Sequence, residues 1–155
     1  AVGPLLRELV TDYRSVAEAA DLALELVPVP DLPVLYTDRR RARQVLENLL
    51  GNAVKYTPQG GAIAVSAEVR ERPGHHAHQW LALHVQDDGP GIPADRLEAV
   101  FEEFVRLANA AGTPGSGVGL AMARSLARAM GGDISVDSEV GVGSVFTLWL
   151  PVGRE

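Results

Sequence analysis

The chain has 155 residues, 46% hydrophobic and 22% charged, a composition typical of one soluble globular domain. It contains no cysteine, which excludes disulfides, thiolate metal sites and a cysteine nucleophile. Fourteen Lys and Arg against twenty Asp and Glu give a net charge of -6, which argues against a nucleic-acid partner. No apolar run approaches the length of a membrane span and no signal peptide is visible, so we expect a cytoplasmic domain.

The first part of the chain predicts a helix followed by a strand. Apolar residues recur at helical spacing over 4–20, and residues 22–27 alternate as a strand does. Three prolines within 28–33 predict a connector, because proline fits neither a helix interior nor a central strand. The next apolar residues, 34–36, are a candidate for a short strand.

A long helix is predicted from Asp38, a suitable N-cap, to Tyr56. One stripe of this helix is apolar and should be buried: Ala42, Val45, Leu46, Leu49 and Ala53. A polar stripe lies about 100° away and carries Arg41, Gln44, Asn48, Asn52 and Lys55. Asparagine is a mediocre helix former, so the pair either belongs to a solvated face or supplies amide oxygens to Mg²⁺. In the second case Lys55 would offer a charge to phosphate, and Tyr56 a ring to a base.

The remaining segments complete an alternation of three longer helices with about six strands. We expect strands at 62–69, 80–86, 134–137 and 145–150, a broken helix at 95–107 and a helix at 118–130. A polar loop is predicted at 70–79, and 108–117 has the composition of a mobile segment. The alternation favours a helix layer on a mixed or antiparallel sheet, and no G-x-G-x-x-G turn supports a Rossmann fold.

Two segments are candidate ligand loops. DDGPGIP, residues 87–93, follows a strand and is either a surface turn or a site where one carboxylate accepts a hydrogen bond from a base amine. Gly91 would let the backbone approach a flat ring closely. GSGVGL, residues 115–120, precedes a helix whose N-terminus favours anions, but it lacks the lysine of a P-loop.

In order and spacing, these segments resemble the catalytic, ATP-binding domain of bacterial sensor histidine kinases. This domain belongs to the superfamily that also contains gyrase, Hsp90 and MutL. The N box resembles QVLENLLGNAVKYT, the G1 box DDGPGIP, the F box VFEEFVR and the G2 box GSGVGLAMARSLARAMGG, and VDSEVGVGSVFTLWLP resembles the last hairpin. The resemblance implies the Bergerat fold: an α/β (α+β) two-layer sandwich whose mixed, mostly antiparallel sheet is covered on one face by three helices.

The resemblance also implies two cofactors, ATP and Mg²⁺, and a role for each matching residue. Asn52 and Asn48 would be at the metal, and Asn48, Lys55 and Arg106 would act on the phosphoryl group. Asp87 would bind the adenine amine, while its neighbour Asp88 stands where the family often has Asn. Further nucleotide contacts are implied for Tyr56, Gly89, Gly91, Ile92, Phe104, Gly115, Ser116, Gly117, Val118, Gly119 and Leu120. Phe101 and Phe104 would pack the base of an ATP lid at about 104–116.

A protein-histidine kinase is the activity that the resemblance implies, with transfer of the γ-phosphoryl group of ATP to a histidine. The hydrolysing relatives carry a glutamate base four residues before the metal asparagine. Here that position is Asn48, which cannot accept a proton at neutral pH, and Glu47 lies about 100° further round the helix. An ATP hydrolase, a nucleotide-binding docking module and a serine kinase remain as alternatives.

The acceptor histidine of the family lies on a helical hairpin that does not match this chain. His75, His76 and His78 fall in the predicted polar loop, where a solvated loop is favoured over a metal site, and His84 falls in a strand. We therefore expect residues 1–155 to be one monomeric catalytic domain, without the phosphoacceptor hairpin. That hairpin, from the same or a sister chain, is the expected partner, with a response regulator as an indirect one and a parent protein that can be membrane-anchored.

The arginines at 39–41 and 43 allow two interpretations. They either form the solvated start of a helix or dock an acidic partner hairpin.

Overall fold

The computed structural model describes residues 2–28, 32, 38–72, 74–97, 101 and 118–152. Its helices are α1 (Val2–Ala19), α2 (Arg39–Tyr56) and α3 (Val118–Ala129), with a short 3-10 helix at Ala94–Arg96. Its strands are β1 (Ala23–Leu26), β2 (Ala62–Arg72), β3 (His75–Asp87), β4 (Asp133–Glu139) and β5 (Gly143–Pro151). The strand expected at 34–36 and the lid expected at 104–116 lie outside the described residues. Within the described ranges, no helix combines the length and apolarity needed to cross a bilayer.

The five strands form one sheet in the order β1-β2-β3-β5-β4. Only the β1–β2 pair is parallel, so the sheet is mixed and mostly antiparallel, as predicted. Alternate positions of β2 and β3, such as Ile63, Val65, Leu83 and Val85, join the apolar faces of the helices in one buried core. The predicted α/β fold, a helix layer on a mixed sheet, is confirmed.

Helix α2 forms as its sequence predicts. The Asp38 carboxylate accepts hydrogen bonds from the backbone N–H groups of Arg40 at 3.0 Å and Arg41 at 3.2 Å, which caps the helix. The whole predicted apolar stripe is buried. In α1, by contrast, Val16 is apolar and at helical spacing with other apolar residues, yet it is 47% exposed. The buried face continues through Val10 to Ala17, because these positions keep helical spacing with Leu6.

The polar loop predicted at 70–79 is wrong. Strand β2 continues to Arg72, β3 begins at His75, and Gly74 turns the chain with a φ of 82°. Residues 70–79 are mostly polar, so polar and apolar residues do not alternate in this extension and it carries no period-2 signal. The backbone is therefore that of a strand, and not of a loop, at His75, His76 and His78.

Candidate functional site

A cavity of about 260 Å³ lies between the C-terminal part of α2, the turn after β3 and the start of α3. Its lining contains many of the predicted nucleotide residues: Asn52, Tyr56, Asp87, Gly91, Ile92 and Leu120. It also contains residues that we did not predict: Ala53, Pro90, Pro93, Arg96, Ser144 and Phe146. The fold thus brings the N box and the G1 box, which are far apart in the sequence, to one hollow.

Asp87 ends β3 at the wall of this cavity. Burial raises the pKa of its carboxyl, and two backbone N–H donors, Gly89 at 2.9 Å and Ser144, lower it in part. The nearby charge of Asp88 raises the pKa further. In the described part of the chain this carboxylate has no salt bridge, so it can accept a hydrogen bond from a base amine.

Asp88 has a different task from its neighbour. Its Oδ1 accepts a hydrogen bond from the backbone N–H of Ala62 at 2.9 Å, which ties the turn after β3 to the start of β2. It lines a larger hollow of about 500 Å³ together with Glu25, Asp137, Glu139 and Asp87, which borders both hollows. A hollow lined by so many carboxylates is a poor site for a polyanion.

Of the predicted site residues on the polar stripe of α2, one lines the cavity and two do not. Asn52 is 9% exposed and lines the hollow, and among the described residues its amide makes no hydrogen bond. An amide oxygen at the wall of a cavity is a hard donor of the kind that Mg²⁺ binds, so Asn52 fits a metal ligand. Asn48 is half-buried one turn earlier, and Lys55 is exposed with its Nζ 5.8 Å from the Tyr56 ring centroid. Neither Asn48 nor Lys55 lines the cavity.

Tyr56 keeps 43% of its surface exposed while lining the cavity, and partial burial raises the pKa of its phenol. Its neutral ring is thus available to pack against a flat ligand.

The G1 turn is held by the β4–β5 turn opposite. Gly91 has a φ of 80°, and a Cβ there would overlap the carbonyl oxygen of Glu139. The backbone N–H of Gly141 donates to the carbonyl of Pro90 at 2.9 Å. The backbone approach that the sequence suggested for Gly91 therefore occurs, but toward the β4–β5 turn. Gly89 is buried and supplies its N–H to Asp87 without lining the cavity.

The remaining predicted residues divide by position. Val118 and Gly119 are the first residues of α3. Leu120 follows them, is 1% exposed and lines the cavity. Phe101 is buried in the core, where the Arg124 guanidinium carbon lies 4.2 Å from its ring centroid. Five further predicted residues lie outside the described ranges: Phe104, Arg106, Gly115, Ser116 and Gly117.

Two of the missed residues, Ser144 and Arg96, differ in how they could have been found. Ser144 enters the site because β5 pairs it with Asp87, and that register is not visible in the sequence. Arg96 follows the G1 box within the 3-10 helix, so its nearness in sequence was an available signal.

The arginine cluster at the start of α2 braces α1. Arg39 pairs with Glu8 at 2.7 Å. Arg43 pairs with Asp12 at 2.6 Å and with Glu47 at 2.8 Å. These ion pairs give Arg39 and Arg43 a role inside the domain rather than at a docking surface. They also hold Glu47 on the α1 side of the helix, away from the cavity.

His84 is bonded within the sheet. Its Nδ1 lies 2.8 Å from Thr147 Oγ1, and its Nε2 lies 2.8 Å from Glu68 Oε2. In the ranges that the structure describes, no group of three or more His, Cys, Asp or Glu is arranged to hold a metal.

Comparison with known sequences gives a match to a family model and a set of individual relatives. The family model of the histidine kinase-, DNA gyrase B- and HSP90-like ATPases matches residues 37–154. The adaptive-response sensory kinase SasA of Synechococcus elongatus is 40% identical over 152 residues, which cover 97% of this chain and 38% of SasA. SasA of Thermosynechococcus vestitus is 48% identical over 122 residues, which cover 79% of this chain and 30% of that protein. The chain thus spans less than two fifths of the length of these relatives.

Solved structures show the same architecture. Full-length ShkA in complex with AMPPNP has a TM-score of 0.78 and 29% identity, over 99% of this chain and 31% of ShkA. The mycobacterial sensor histidine kinase MprB has a TM-score of 0.72 and 27% identity, over 97% of this chain and 93% of that structure. The catalytic domain of ThkA shares the fold, with a TM-score of 0.76 at 24% identity, over 99% of this chain and 95% of that structure. This chain belongs to the family of histidine kinase-, DNA gyrase B- and HSP90-like ATPases.

Proposed function

We propose that this chain binds ATP with Mg²⁺ in the cavity and transfers the γ-phosphoryl group to a histidine on a separate helical hairpin. The observation that carries the proposal is one hollow lined by two polar side chains: the largely buried amide of Asn52, without a hydrogen bond among the described residues, and the desolvated carboxylate of Asp87. Family membership and the sensory-kinase relatives support it. So does the likeness to ShkA, a protein whose structure is of a complex with AMPPNP.

The base would bind at the Asp87 side of the cavity. The carboxylate would accept a hydrogen bond from the exocyclic amine of adenine, and its backbone donors keep it oriented. Ile92, Leu120 and Phe146 supply apolar surface for the ring. Tyr56, half exposed at the cavity, would add a ring contact.

The phosphates would lie toward the polar stripe of α2. Asn52, with Asn48 one turn before it, would hold Mg²⁺, which neutralises phosphate charge when bound. Lys55 and Arg106 would supply positive charge, together with backbone N–H groups of Gly115, Ser116 and Gly117. A bond would form between an imidazole nitrogen and the γ-phosphorus while the bond to the bridging oxygen breaks and ADP leaves. Positioning and electrostatics would supply most of the catalysis.

Transfer is favoured over hydrolysis because no carboxylate of the described site is placed to activate a water molecule. Among the described residues lining the cavity, Asp87 is the only acidic one, and it belongs to the base end. Glu47 is bound by Arg43 at 2.8 Å. A base to activate water beside Asn48 and Asn52 is therefore lacking in the described part of the site.

The proposed partner is the phosphoacceptor and dimerisation hairpin of the same or a sister chain. A response regulator would receive the phosphoryl group afterwards. We propose a cytoplasmic, monomeric domain that does not bind nucleic acid, in keeping with its net charge of -6.

Asn52→Ala tests the metal side of the proposal. We expect magnesium-dependent affinity for ATP to fall at least about tenfold, the effect of losing one favourable polar contact. Titration calorimetry with and without Mg²⁺ measures it. Gln44→Ala, an exposed amide of the same helix, is the matched control and should bind as the wild type does. Unchanged magnesium dependence in Asn52→Ala would contradict the assignment.

Transfer is tested with ATP labelled at the γ-phosphate and candidate hairpin domains. We expect an acid-labile, base-stable label on the hairpin, as phosphohistidine gives. Release of labelled phosphate by the isolated domain, with no labelled hairpin, would indicate a hydrolase instead. ATP binding with neither outcome would indicate a docking module.

A further inference from the structure

The hydroxyl of Ser138 lies at a junction next to the cavity without lining it. Its Oγ accepts a hydrogen bond from the backbone N–H of Ile92 at 2.7 Å. It lies 3.0 Å from the carbonyl oxygen of Gly143 and 2.8 Å from the Oγ of Ser144. Ile92 and Ser144 both line the cavity, so Ser138 contacts two of its walls from behind.

A hydroxyl has one proton, which allows two arrangements at this junction. If Ser138 donates to Gly143, then Ser144 donates to Ser138 and keeps only lone pairs for the cavity. If Ser138 donates to Ser144, the Ser144 proton is free to enter the cavity. The direction in which the Ser138 hydroxyl donates therefore decides whether the Ser144 hydroxyl meets a ligand as an acceptor or as a donor.

Ser144 is well placed for this choice to affect a base. It pairs with Asp87 in the sheet and donates its backbone N–H to the Asp87 carboxylate. Adenine presents an amine donor where guanine presents a carbonyl acceptor, so a fixed set of donors and acceptors at this wall separates the two purines.

We infer that Ser138 is a positioning residue for base recognition, which orients the Ile92 backbone and the Ser144 hydroxyl so that the cavity prefers adenine to guanine nucleotides. The inference rests on the proposed function, because it assumes that a purine nucleotide occupies this cavity.

Ser135 offers a matched control on the same strand. Its Oγ accepts a hydrogen bond from Trp149 Nε1 of β5 at 2.8 Å. Like Ser138 it is half-buried and bonded to β5, but it lies at an odd spacing from Ser138 and so on the other face of the sheet, and it does not line the cavity. Loss of either hydroxyl removes a strand-to-strand hydrogen bond, and only loss of Ser138 reaches the site.

The test compares the dissociation constants of ATP and GTP for the wild type, Ser138→Ala, Ser138→Thr and Ser135→Ala. Titration calorimetry is done below the unfolding transition of every variant, as set by circular dichroism melts. We expect Ser138→Ala to lose about tenfold in ATP affinity, with a smaller ATP-to-GTP preference. Ser138→Thr keeps a hydroxyl and should restore the preference, and Ser135→Ala should keep the wild-type values at a similar loss of Tm.

An unchanged ATP-to-GTP ratio in Ser138→Ala, with a fall in Tm like that of Ser135→Ala, would show a merely structural serine and overturn the inference. If Ser138→Ala does not fold, Ser144→Ala removes the other hydroxyl of the pair, and a wild-type ratio there overturns it equally. A wild-type protein that binds neither nucleotide would instead refute the proposed function, and the inference with it.

Discussion

Asp87 and Asp133 stand at opposite ends of one sheet, since β5 pairs the first with Ser144 and the second with Trp149. Asp133 lies 3.1 Å from the Arg128 guanidinium and 3.3 Å from that of Arg124. Burial disfavours its charged form, but hydrogen bonds from Arg128 and the Ile134 N–H and the charges of both arginines outweigh it, so its pKa is lowered. Within the described ranges, the groups that offset the burial of Asp87 are backbone donors, and its pKa is raised.

The surroundings of the two carboxylates differ in the same way. At the Asp133 end, Arg72 lies 3.4 Å from Asp133, with its guanidinium carbon 4.8 Å from the Trp80 ring centroid. The Asp133 carboxylate is thus paired with three arginines of the domain itself. At the Asp87 end, a carboxylate and the Asn52 amide keep unused capacity and face one cavity. A desolvated group with unmet capacity beside a hollow indicates a ligand site, whereas an ion-pair network indicates structure.

The largest expected effect separates the two ends by function. Asp87→Asn should weaken ATP binding about a hundredfold, because a charged acceptor is replaced by an amide that can present a donor to the adenine amine. Asp133→Asn should leave ATP affinity unchanged and lower Tm instead, because three arginines lose their common partner. Calorimetric titration and thermal melts of both variants make the comparison. Loss of ATP binding in Asp133→Asn, at a temperature where this variant is folded, would contradict the contrast between the two carboxylates.

A smaller effect concerns the backbone approach that shapes the Asp87 end. Gly91→Ala should destabilise the domain by about 2 kcal/mol, from a positive φ and the overlap of its Cβ with the Glu139 carbonyl. Gly141→Ala is the control, because its φ of 84° is similar and nothing lies within 4 Å of its added Cβ. Urea unfolding measures both variants. Equal losses would show that φ alone, and not the contact with the β4–β5 turn, requires glycine at 91.

The smallest expected effect is on the pH dependence of stability, to which Asp133 and Asp87 contribute with opposite signs. A lowered pKa means that Asp133 contributes stability above its unfolded pKa, and this stability is lost as the pH falls through its folded pKa. A raised pKa means that Asp87 binds a proton more readily in the folded state, so its contribution falls as the pH rises.

Asp133→Asn should therefore lose less stability than the wild type on acidification, and Asp87→Asn should lose more. Urea unfolding at several pH values across the titration range of carboxylates measures both. Shifts of the same sign in the two variants would contradict the contrast between them.

Much of the site was predictable wherever its signal is local. Asp38 and the apolar stripe of α2 predict the helix, because capping and helical periodicity depend on residues a few positions apart. The same spacing places Asn52 beside the buried face. The G1 box likewise places Asp87 at a strand end followed by a glycine turn.

Other features depend on pairing between distant segments. The register that sets Ser144 beside Asp87, and the contact of Ser138 with Ile92, join residues that have no periodic relation in the chain. The strand extension to Arg72, predicted as a loop, likewise depends on pairing with β3, and Arg72 lies 3.4 Å from the distant Asp133. By itself the sequence determined the helices, their caps and the residue types of the site. Only the tertiary structure decided that Asp87 is desolvated with backbone donors while Asp133 is held by arginines, because desolvation and partners come from strands brought together by folding.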